Sequence, residues 1–348
     1  MQLQSRIITD ILVGPGYSKR LLTYEKFEGG TKEIQLCYFI DELFEAQAKR
    51  LEANPFLLFA SFLAKKEITK VDTVCFKNSK TLRDFIQTAI EERVEKLEKG
   101  ENSEDAADMI GILLGDDNYK DCHSDIIDDI IVMFLAGSKT IQGTTTNFVT
   151  HLTEFTELRD RFRAEIDPVL EPIKDDIQEK LTTEIVEEFS VLKMIYFEVL
   201  RFYTPFPFGS PSNFAKPTTI GGVKFEVDDA FLINMQQIHM DPREWPEPER
   251  FIPERFDSTS KWFKRADGTN RNPLAHNPFL GGKRICLGKT FAEITVRFTL
   301  ALYFWCFDFE FVKEEHKKLE TGRPRYVVGS KLQPEIPMYF ITRNKITK

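Results

Sequence analysis

The stretch from Phe279 to Gly288 holds the residues best suited to chemistry. Its glycines allow the backbone to turn sharply and to pass close to a flat object. Cys286 lies just before a predicted helix that begins near Gly288, so the positive end of the helix dipole favours the thiolate. Arg284 can pair with a carboxylate, and Phe279 can shield the sulfur from water. The pattern predicts a thiolate ligand; the alternatives are a structural cysteine in a turn and a reactive free thiol.

A long predicted helix, from Ser124 to about Leu158, carries a run of small and hydroxylated residues. Ser124 is its predicted N-cap. Within it, the stretch Ala136-Gly137-Ser138-Lys139-Thr140 leaves space beside the helix and allows a local kink. The Thr140 hydroxyl can hold water and pass protons. The alternative is a Gly/Ser bend in a buried helix, and the sequence alone leaves both open.

Glu198 and Arg201 lie near the end of another predicted helix, which Pro205 cannot continue. Their spacing is about one helical turn, so the carboxylate and the guanidinium can pair on one face. Glu247 and Arg250 show the same spacing among prolines. The spacing by itself is therefore weak evidence, and it favours a surface ion pair between Glu198 and Arg201.

A helical majority with a strand-rich insert is predicted to position these residues. Residues 1–120 have the pattern of successive amphipathic helices, clearest from Lys80 to Gly100. A single compact domain over residues 1–348 is favoured. The later predicted elements are a hairpin over 218–227 turning at Gly221-Gly222, a strand over 230–234, an irregular meander over 241–280, a helix over 289–307, and tail strands over 326–329 and 336–342.

Composition and charge exclude several classes of protein. The formal net charge of −8 argues against nucleic-acid binding, which requires a basic surface. The five scattered cysteines fit neither a disulfide framework nor a zinc ribbon, and they favour a reducing compartment. The N-terminus lacks the apolar core of a signal peptide, and no apolar run is long enough for a membrane span. We expect a soluble chain as written.

The glycine-rich stretch resembles the heme-binding loop of the cytochrome P-450 superfamily, Phe-x-x-Gly-x-Arg-x-Cys-x-Gly. The resemblance implies a mainly α fold with a small β portion, and heme b as the cofactor with Cys286 as the axial ligand to iron. It covers residues 124–342, from the distal helix through the heme loop to the C-terminal strands. Residues 1–120 match the family's middle helices more weakly. The matched positions are Phe279, Gly282, Arg284, Cys286 and Gly288.

Residues 251–256, Phe-Ile-Pro-Glu-Arg-Phe, resemble the meander motif of the same family. This resemblance implies that Arg255 joins Glu198 and Arg201 in a buried ion network that holds the heme-loop scaffold. Such networks are costly to break, so these three residues are expected to be structural. His239, in a segment that also looks like family sequence, is expected to be a structural histidine and not a ligand.

The run at 136–140 is similar to the family's oxygen-binding stretch, Ala-Gly-x-acid-Thr. The resemblance implies catalytic roles for Ala136, Gly137 and Thr140. Two positions depart from the family pattern: Lys139 stands at the acidic position, and Ile141 at the following hydroxyl position. Both departures bear on proton delivery.

The resemblance implies a heme-thiolate monooxygenase that inserts one atom of O2 into an apolar organic substrate. No Gly-x-Gly-x-x-Gly phosphate loop occurs, so the electrons are expected from a separate, NADPH-dependent reductase. Lys283, Arg284 and Lys289 can steer an acidic donor to this face. The family's N-terminal part has no counterpart here. We therefore expect an endoplasmic reticulum location if a membrane anchor precedes the chain.

Two alternatives from other classes stay open. The first is a truncated relative that binds heme but is catalytically impaired or inactive, suggested by Lys139 and by the missing N-terminal part. The second is a thiol-based or metal protein that uses Cys122-His123. The second lacks another ligand pair at usable spacing.

Overall fold

The computed structural model describes residues 2–54, 66–100, 108–119, 122–209, 212–312, 325–327, 330–332 and 337–343. The described residues are mainly helical with a small β portion, which confirms the predicted fold class. By its internal contacts the chain divides into two compact units, Met1–Gln142 and Gly143–Lys348. The organisation as a single domain stays a prediction.

The first unit packs its helices around a core of aliphatic and aromatic side chains. Phe39, Leu82, Ile86, Ile130 and Phe134 are completely buried in this core. The described elements are α1 (Gln2–Val13), β1 (Leu21–Glu25), β2 (Thr31–Gln35), α2 (Leu36–Ala53), α3 (Lys70–Glu98), α4 (Met109–Leu114) and the first part of α5 (His123–Glu154).

Helix α3 begins ten residues earlier than the apolar periodicity predicts, at Lys70 instead of Lys80. The reason is a capping box. The Thr69 hydroxyl accepts the Asp72 N–H over 3.2 Å, and the Asp72 carboxylate accepts the Thr69 N–H over 2.8 Å. These bonds satisfy amides that have no partner inside the helix. The predicted end is confirmed, because Gly100 adopts a φ of 70° just after the helix.

The prediction of helices alone over residues 1–120 is wrong, because β1 and β2 form an antiparallel hairpin. Its register runs from Leu21 opposite Gln35 to Glu25 opposite Thr31. Buried and exposed residues alternate along β1, which is the period of a strand. The turn uses two consecutive glycines, 29 and 30, with φ angles of 102° and 77°. This Gly-Gly pair was the available sequence signal.

Helix α5 is 32 residues long and ends at Glu154, slightly before the predicted Leu158. Phe155 interrupts the helix before α6 begins at Thr156. The N-cap prediction for Ser124 is wrong, because the helix already includes His123. The Ser124 hydroxyl instead donates to the neighbouring Asp125 carboxylate over 3.3 Å.

The second unit contains most of the short elements. Phe148, Phe162 and Phe304 are fully buried in its core, with ring centroids 5.4 to 5.8 Å apart. The described elements are the end of α5, α6 (Thr156–Leu170), α7 (Ile177–Lys180), α8 (Thr183–Glu187), α9 (Ser190–Phe202), β3 (Ser212–Asn213), β4 (Thr218–Ile220), β5 (Val223–Phe225), β6 (Ala230–Phe231), α10 (Met235–His239), α11 (Lys289–Cys306), β7 (Phe307–Phe311), β8 (Arg325–Val327), β9 (Ser330–Leu332) and β10 (Met338–Thr342).

Most predicted boundaries in this unit are confirmed. Strands β4 and β5 form the expected hairpin, with φ angles of 56° and 83° at Gly221 and Gly222. Helix α9 ends at Phe202, and α11 follows the irregular meander. Strand β7 was missed, because the predicted helix extends to its first residue. Its pairing with β10 places Phe307 opposite Thr342.

No helix within the described ranges combines the length and the apolar character needed to cross a bilayer.

Candidate functional site

The ligand loop, Phe279–Gly288, is shaped mainly by its backbone. Leu280 and Gly282 both have positive φ angles, 63° and 64°. A short 3-10 turn follows over Gly282–Arg284. The N–H of Cys286 then donates to the carbonyl of Phe279 over 2.9 Å. This bond closes the loop and gives a structural reason for the seven-residue spacing between the phenylalanine and the cysteine.

Helix α11 begins directly after the ligand loop, with Gly288 as its N-cap. The Lys289 N–H donates to the Cys286 carbonyl over 3.3 Å, and the Ala292 N–H donates to the Gly288 carbonyl over 2.8 Å. Cys286 therefore lies at the positive end of an 18-residue helix. This is the position before the helix that the sequence predicts for Cys286.

The ligand loop is exposed, and apolar side chains flank its cysteine. Cys286 itself is exposed, and its neighbours Ile285 and Leu287 are 49% and 90% exposed. A Cβ added at Gly281 or Gly282 would meet no atom within 4 Å. The surface on both sides of Cys286 in the sequence is therefore apolar and exposed.

The residues present fit a heme. Cys286 offers a single thiolate, and the described residues contain no group of three or more His, Cys, Asp or Glu able to hold a metal ion. A macrocycle that supplies four ligands of its own matches such a one-ligand site, and its flat apolar face matches Ile285 and Leu287. The exposed Arg284 can pair with a propionate. The same finding gives the Cys122-His123 alternative no support in the described residues.

Glu198, Arg201 and Arg255 lie together in the second unit, and all three side chains are fully buried. The two oxygens of Glu198 accept hydrogen bonds from Nε and Nη2 of Arg201, over 2.7 and 2.8 Å. Nε of Arg255 lies 3.4 Å from Oε1 of Glu198. That is an ion-pair distance without a directed hydrogen bond. One carboxylate therefore faces two buried guanidiniums.

The network binds the meander through backbone groups. The Ile252 N–H donates to Glu198 over 2.7 Å. Arg201 donates to the carbonyls of His239 and Pro248, both over 2.9 Å. Arg255 donates to the carbonyl of Pro246 over 2.6 Å. Burial lowers the pKa of Arg255 to about 10, and Glu198 opposes this shift. These side chains replace the regular hydrogen bonds that the irregular meander lacks.

Arg271 and Trp245 belong to the same cluster, and neither was predicted from the sequence to do so. The Arg271 guanidinium lies 4.3 Å from the Trp245 ring centroid, a cation–π contact. It also donates to the Arg255 carbonyl over 3.0 Å. Burial lowers the pKa of Arg271 to about 10. An isolated arginine in an Asn- and Pro-rich meander carries no signal that would single it out.

Ala136, Gly137 and Thr140 lie on α5 within the first unit, apart in sequence from the ligand loop. The Thr140 hydroxyl donates to the Ala136 carbonyl over 2.7 Å. A Cβ added at Gly137 would lie 4.0 Å from Ile8 of α1, an ordinary packing distance. The helix continues through this stretch without interruption. The roles predicted for these three residues stay predictions.

Lys139 has a defined partner in the first unit. Its Nζ lies 2.9 Å from Oδ1 of Asp41 on α2. Asp41 also accepts hydrogen bonds from Ser5 and from Gln142, both over 3.2 Å. The lysine at the expected acidic position is therefore neutralised by a carboxylate from another helix.

The sequence profile described as "Cytochrome P450" matches residues 18–337. The chain belongs to the cytochrome P450 family. P450 proteins carry heme with an axial cysteine. The same membership accounts for the mainly helical fold.

Individual P450 relatives support this assignment. Cytochrome P450 71A8 of Mentha piperita is 30% identical over 266 residues, which cover 76% of this chain and 50% of that protein. Cytochrome P450 3A6 of Oryctolagus cuniculus is 28% identical over 267 residues, covering 74% of this chain and 49% of the relative. The chain spans about half the length of these curated relatives.

A solved P450 structure shows the same fold. The retinoic acid-bound cyanobacterial CYP120A1 superposes with a TM-score of 0.70 at 22% sequence identity. The match covers 98% of this chain and 67% of that one. At this identity the likeness shows the fold and nothing about the ligand of this chain.

Proposed function

We propose that this chain is the heme-binding part of a P450 monooxygenase that uses heme b, with Cys286 as the axial ligand. The observation that carries the proposal is the form of the ligand loop. An exposed Cys286, tied by its N–H to Phe279, sits between two exposed apolar side chains at the start of α11. When bound, the heme supplies activation of O2 and insertion of one oxygen atom into an apolar substrate, and thiolate ligation favours O–O cleavage.

The loop residues have distinct proposed tasks. Cys286 would bind the iron through its sulfur, at the end of α11 where a helix dipole favours negative charge. Arg284 pairs with a propionate. Phe279 fixes the cysteine through its carbonyl, and it limits the access of water to the sulfur. Gly282 and Gly288 keep the loop surface clear on either side of the ligand.

Thr140 is the proposed proton carrier of α5. Its hydroxyl donates to the Ala136 carbonyl over 2.7 Å. To deliver a proton, the hydroxyl must exchange that bond for one to water or substrate. Ala136 supplies the accepting carbonyl, and the small size of Ala136 and Gly137 leaves space beside the hydroxyl. The task of Thr140 is thus to hold and move one proton.

The proposed electron source is a separate, NADPH-dependent reductase, and the substrate is an apolar organic molecule consumed with O2. Lys283, Arg284 and Lys289 are exposed at the ligand loop and at the first residue of α11. Three cations on one short segment can attract an acidic surface of an electron donor.

A second candidate function is heme binding without turnover, and Lys139 favours it. The amine at this position is bound to Asp41, so α5 offers no carboxylate of its own beside Thr140. A proton supply through this position is then impaired. Product formation with reductase, NADPH and any apolar substrate excludes this candidate. A heme spectrum without product formation in the presence of reductase and NADPH supports it.

The experiment that tests the ligand is the difference spectrum of the reduced, carbon monoxide-bound protein after heme reconstitution. We expect a strongly red-shifted Soret band that is lost in Cys286→Ala. Cys122→Ala is the matched control, since this cysteine is half-buried and lies outside the loop. An unshifted band in the unaltered protein, or a band that survives in Cys286→Ala, refutes thiolate ligation by Cys286.

A further inference from the structure

Two imidazoles hold the segment that leads into the ligand loop. The Asn277 N–H donates to Nε2 of His239 over 3.1 Å. The neighbouring His276 places its own Nε2 3.1 Å from the Phe197 carbonyl on α9. These contacts lie two and three residues before Phe279, whose carbonyl accepts the Cys286 N–H. The two rings are therefore linked to the cysteine by a short run of backbone.

The contacts determine which nitrogen carries a proton. A backbone N–H can only donate, so Nε2 of His239 accepts and carries no proton. The ring proton then lies on Nδ1 and points to the Thr204 hydroxyl, 2.8 Å away. That hydroxyl donates to the Leu200 carbonyl over 3.0 Å. His276 must donate from Nε2, because the Phe197 carbonyl can only accept.

The surroundings keep both rings neutral. His239 is fully buried, and Arg201 donates to its carbonyl. The two imidazole centroids are 5.4 Å apart. Burial and the Arg201 charge lower the pKa of His239 to about 4. Burial, with His239, Arg201 and Arg271 nearby, lowers the pKa of His276 well below its usual range.

We propose that His239 and His276 are positioning residues for Cys286. His239 holds the Asn277 amide, and His276 ties the adjacent residue to α9. Together they fix the direction in which the chain enters the ligand loop, and hence the position of the sulfur. The benefit to ligation rests on the proposed heme-thiolate function, whereas the positioning of the loop does not.

Hydrogen exchange on the heme-free protein tests the positioning directly. We expect the Asn277 amide to exchange as slowly as the amides of α9. In His239→Leu, the Asn277 and Cys286 amides should lose protection, while those in the second half of α11 keep it. His239→Gln retains an acceptor for the amide and should restore protection. Free exchange of Asn277 in the unaltered protein, or unchanged protection in His239→Leu, overturns the proposal.

Heme binding supplies the second readout. We expect His239→Leu to lower heme affinity by about 10- to 100-fold, as supporting residues of metal sites do, and His239→Gln to recover most of it. The control is Phe162→Leu, which loosens the buried core of the same unit. An equal loss of affinity in this control overturns the proposal.

Two further experiments distinguish a failure of the positioning role from a failure of the proposed function. If His239→Leu does not fold, Thr204→Val removes the acceptor of Nδ1 together with the hydroxyl's own bond to the Leu200 carbonyl. It should deprotect Asn277 in the same direction. Unchanged protection in that variant overturns the positioning role. If no form of the protein binds heme, the proposed function fails, and the exchange experiment still decides the role of the two histidines.

Discussion

The ligand loop, Phe279–Gly288, and the ion network of Glu198, Arg201 and Arg255 belong to the same unit, yet they are stabilised differently. The loop residues from 281 to 287 are exposed, and its shape depends on backbone bonds and positive φ angles. The network is fully buried, and its side chains bind one another and the meander backbone. Cys286 is thus exposed, whereas the charged groups of the network lie in the interior.

This difference predicts which substitutions should lower the free energy of unfolding. An exposed thiol is solvated in both the folded and the unfolded protein, so its removal changes stability little. A buried carboxylate between two guanidiniums has given up its water, so its loss leaves uncompensated charge in the interior. Function and stability are therefore expected to separate along this part of the chain. The free energy of unfolding of matched variants measures that separation.

The largest expected effect is that of Glu198→Gln. Two buried guanidiniums would face a neutral amide, which should lower the free energy of unfolding by about 3–5 kcal/mol. Urea denaturation followed by tryptophan fluorescence measures it, because Trp245, Trp262 and Trp305 all lie in the second unit.

Glu247→Gln is the matched control for Glu198→Gln. Glu247 and Arg250 form a pair with the same spacing, but their side chains are 51% and 63% exposed. The change in unfolding free energy should stay within about 0.5 kcal/mol. Equal losses in the two variants would contradict the contrast between buried and exposed charge.

The pH dependence of the free energy of unfolding should reflect the titration of His239. The ring titrates near its ordinary pKa of about 6.5 when unfolded and at about 4 when folded. Between these values the unfolded chain binds the extra proton. Stability is therefore complete above about pH 6.5 and falls toward pH 4, by at most about 1.4 kcal/mol per pH unit for one histidine.

His239→Gln provides the comparison for this pH effect. Arg201, His276 and Glu198 are retained in the variant, so the two proteins differ at this one titratable side chain. As the pH is lowered from about 7 to about 4.5, the urea midpoint should fall more steeply in the unaltered protein than in His239→Gln. Parallel profiles would show that His239 does not contribute.

Gly282→Ala should have an intermediate effect on stability. The φ angle of 64° places Gly282 in the left-handed region, which costs a residue with a Cβ about 1–2 kcal/mol. Gly281→Ala is the control, because its φ of −163° is extended backbone. Neither added Cβ would meet an atom within 4 Å. Thermal or urea denaturation that ranks the two variants equally would contradict this account.

Cys286→Ser should have the smallest effect on stability, within about 0.5 kcal/mol for an exposed side chain. Cys306→Ser is the contrasting variant, because this thiol is only 5% exposed at the end of α11. Burial of its hydroxyl should cost about 1–3 kcal/mol. A large loss of unfolding free energy in Cys286→Ser would show that the thiol supports the fold as well as the proposed ligand.

The sequence was sufficient for features that depend on local pattern. The ligand loop with its following helix, the Gly221-Gly222 hairpin and the end of α9 follow from residue type and spacing, because turns, caps and helix ends are determined within a few residues. The strand pair β1–β2 and the early start of α3 also had local signals, a Gly-Gly turn and a Thr-x-x-Asp capping box. Those signals were outweighed by the helical periodicity around them.

Only the tertiary structure decided the partners of the charged and titratable side chains. Glu198–Arg201 and Glu247–Arg250 look alike in sequence, and the fold buries the first pair while it leaves the second in water. Asp41 reaches Lys139 from another helix, and His239 reaches Asn277 across 38 residues of chain. Burial and long-range contact depend on how distant segments pack, and a single sequence does not contain that information in any local window.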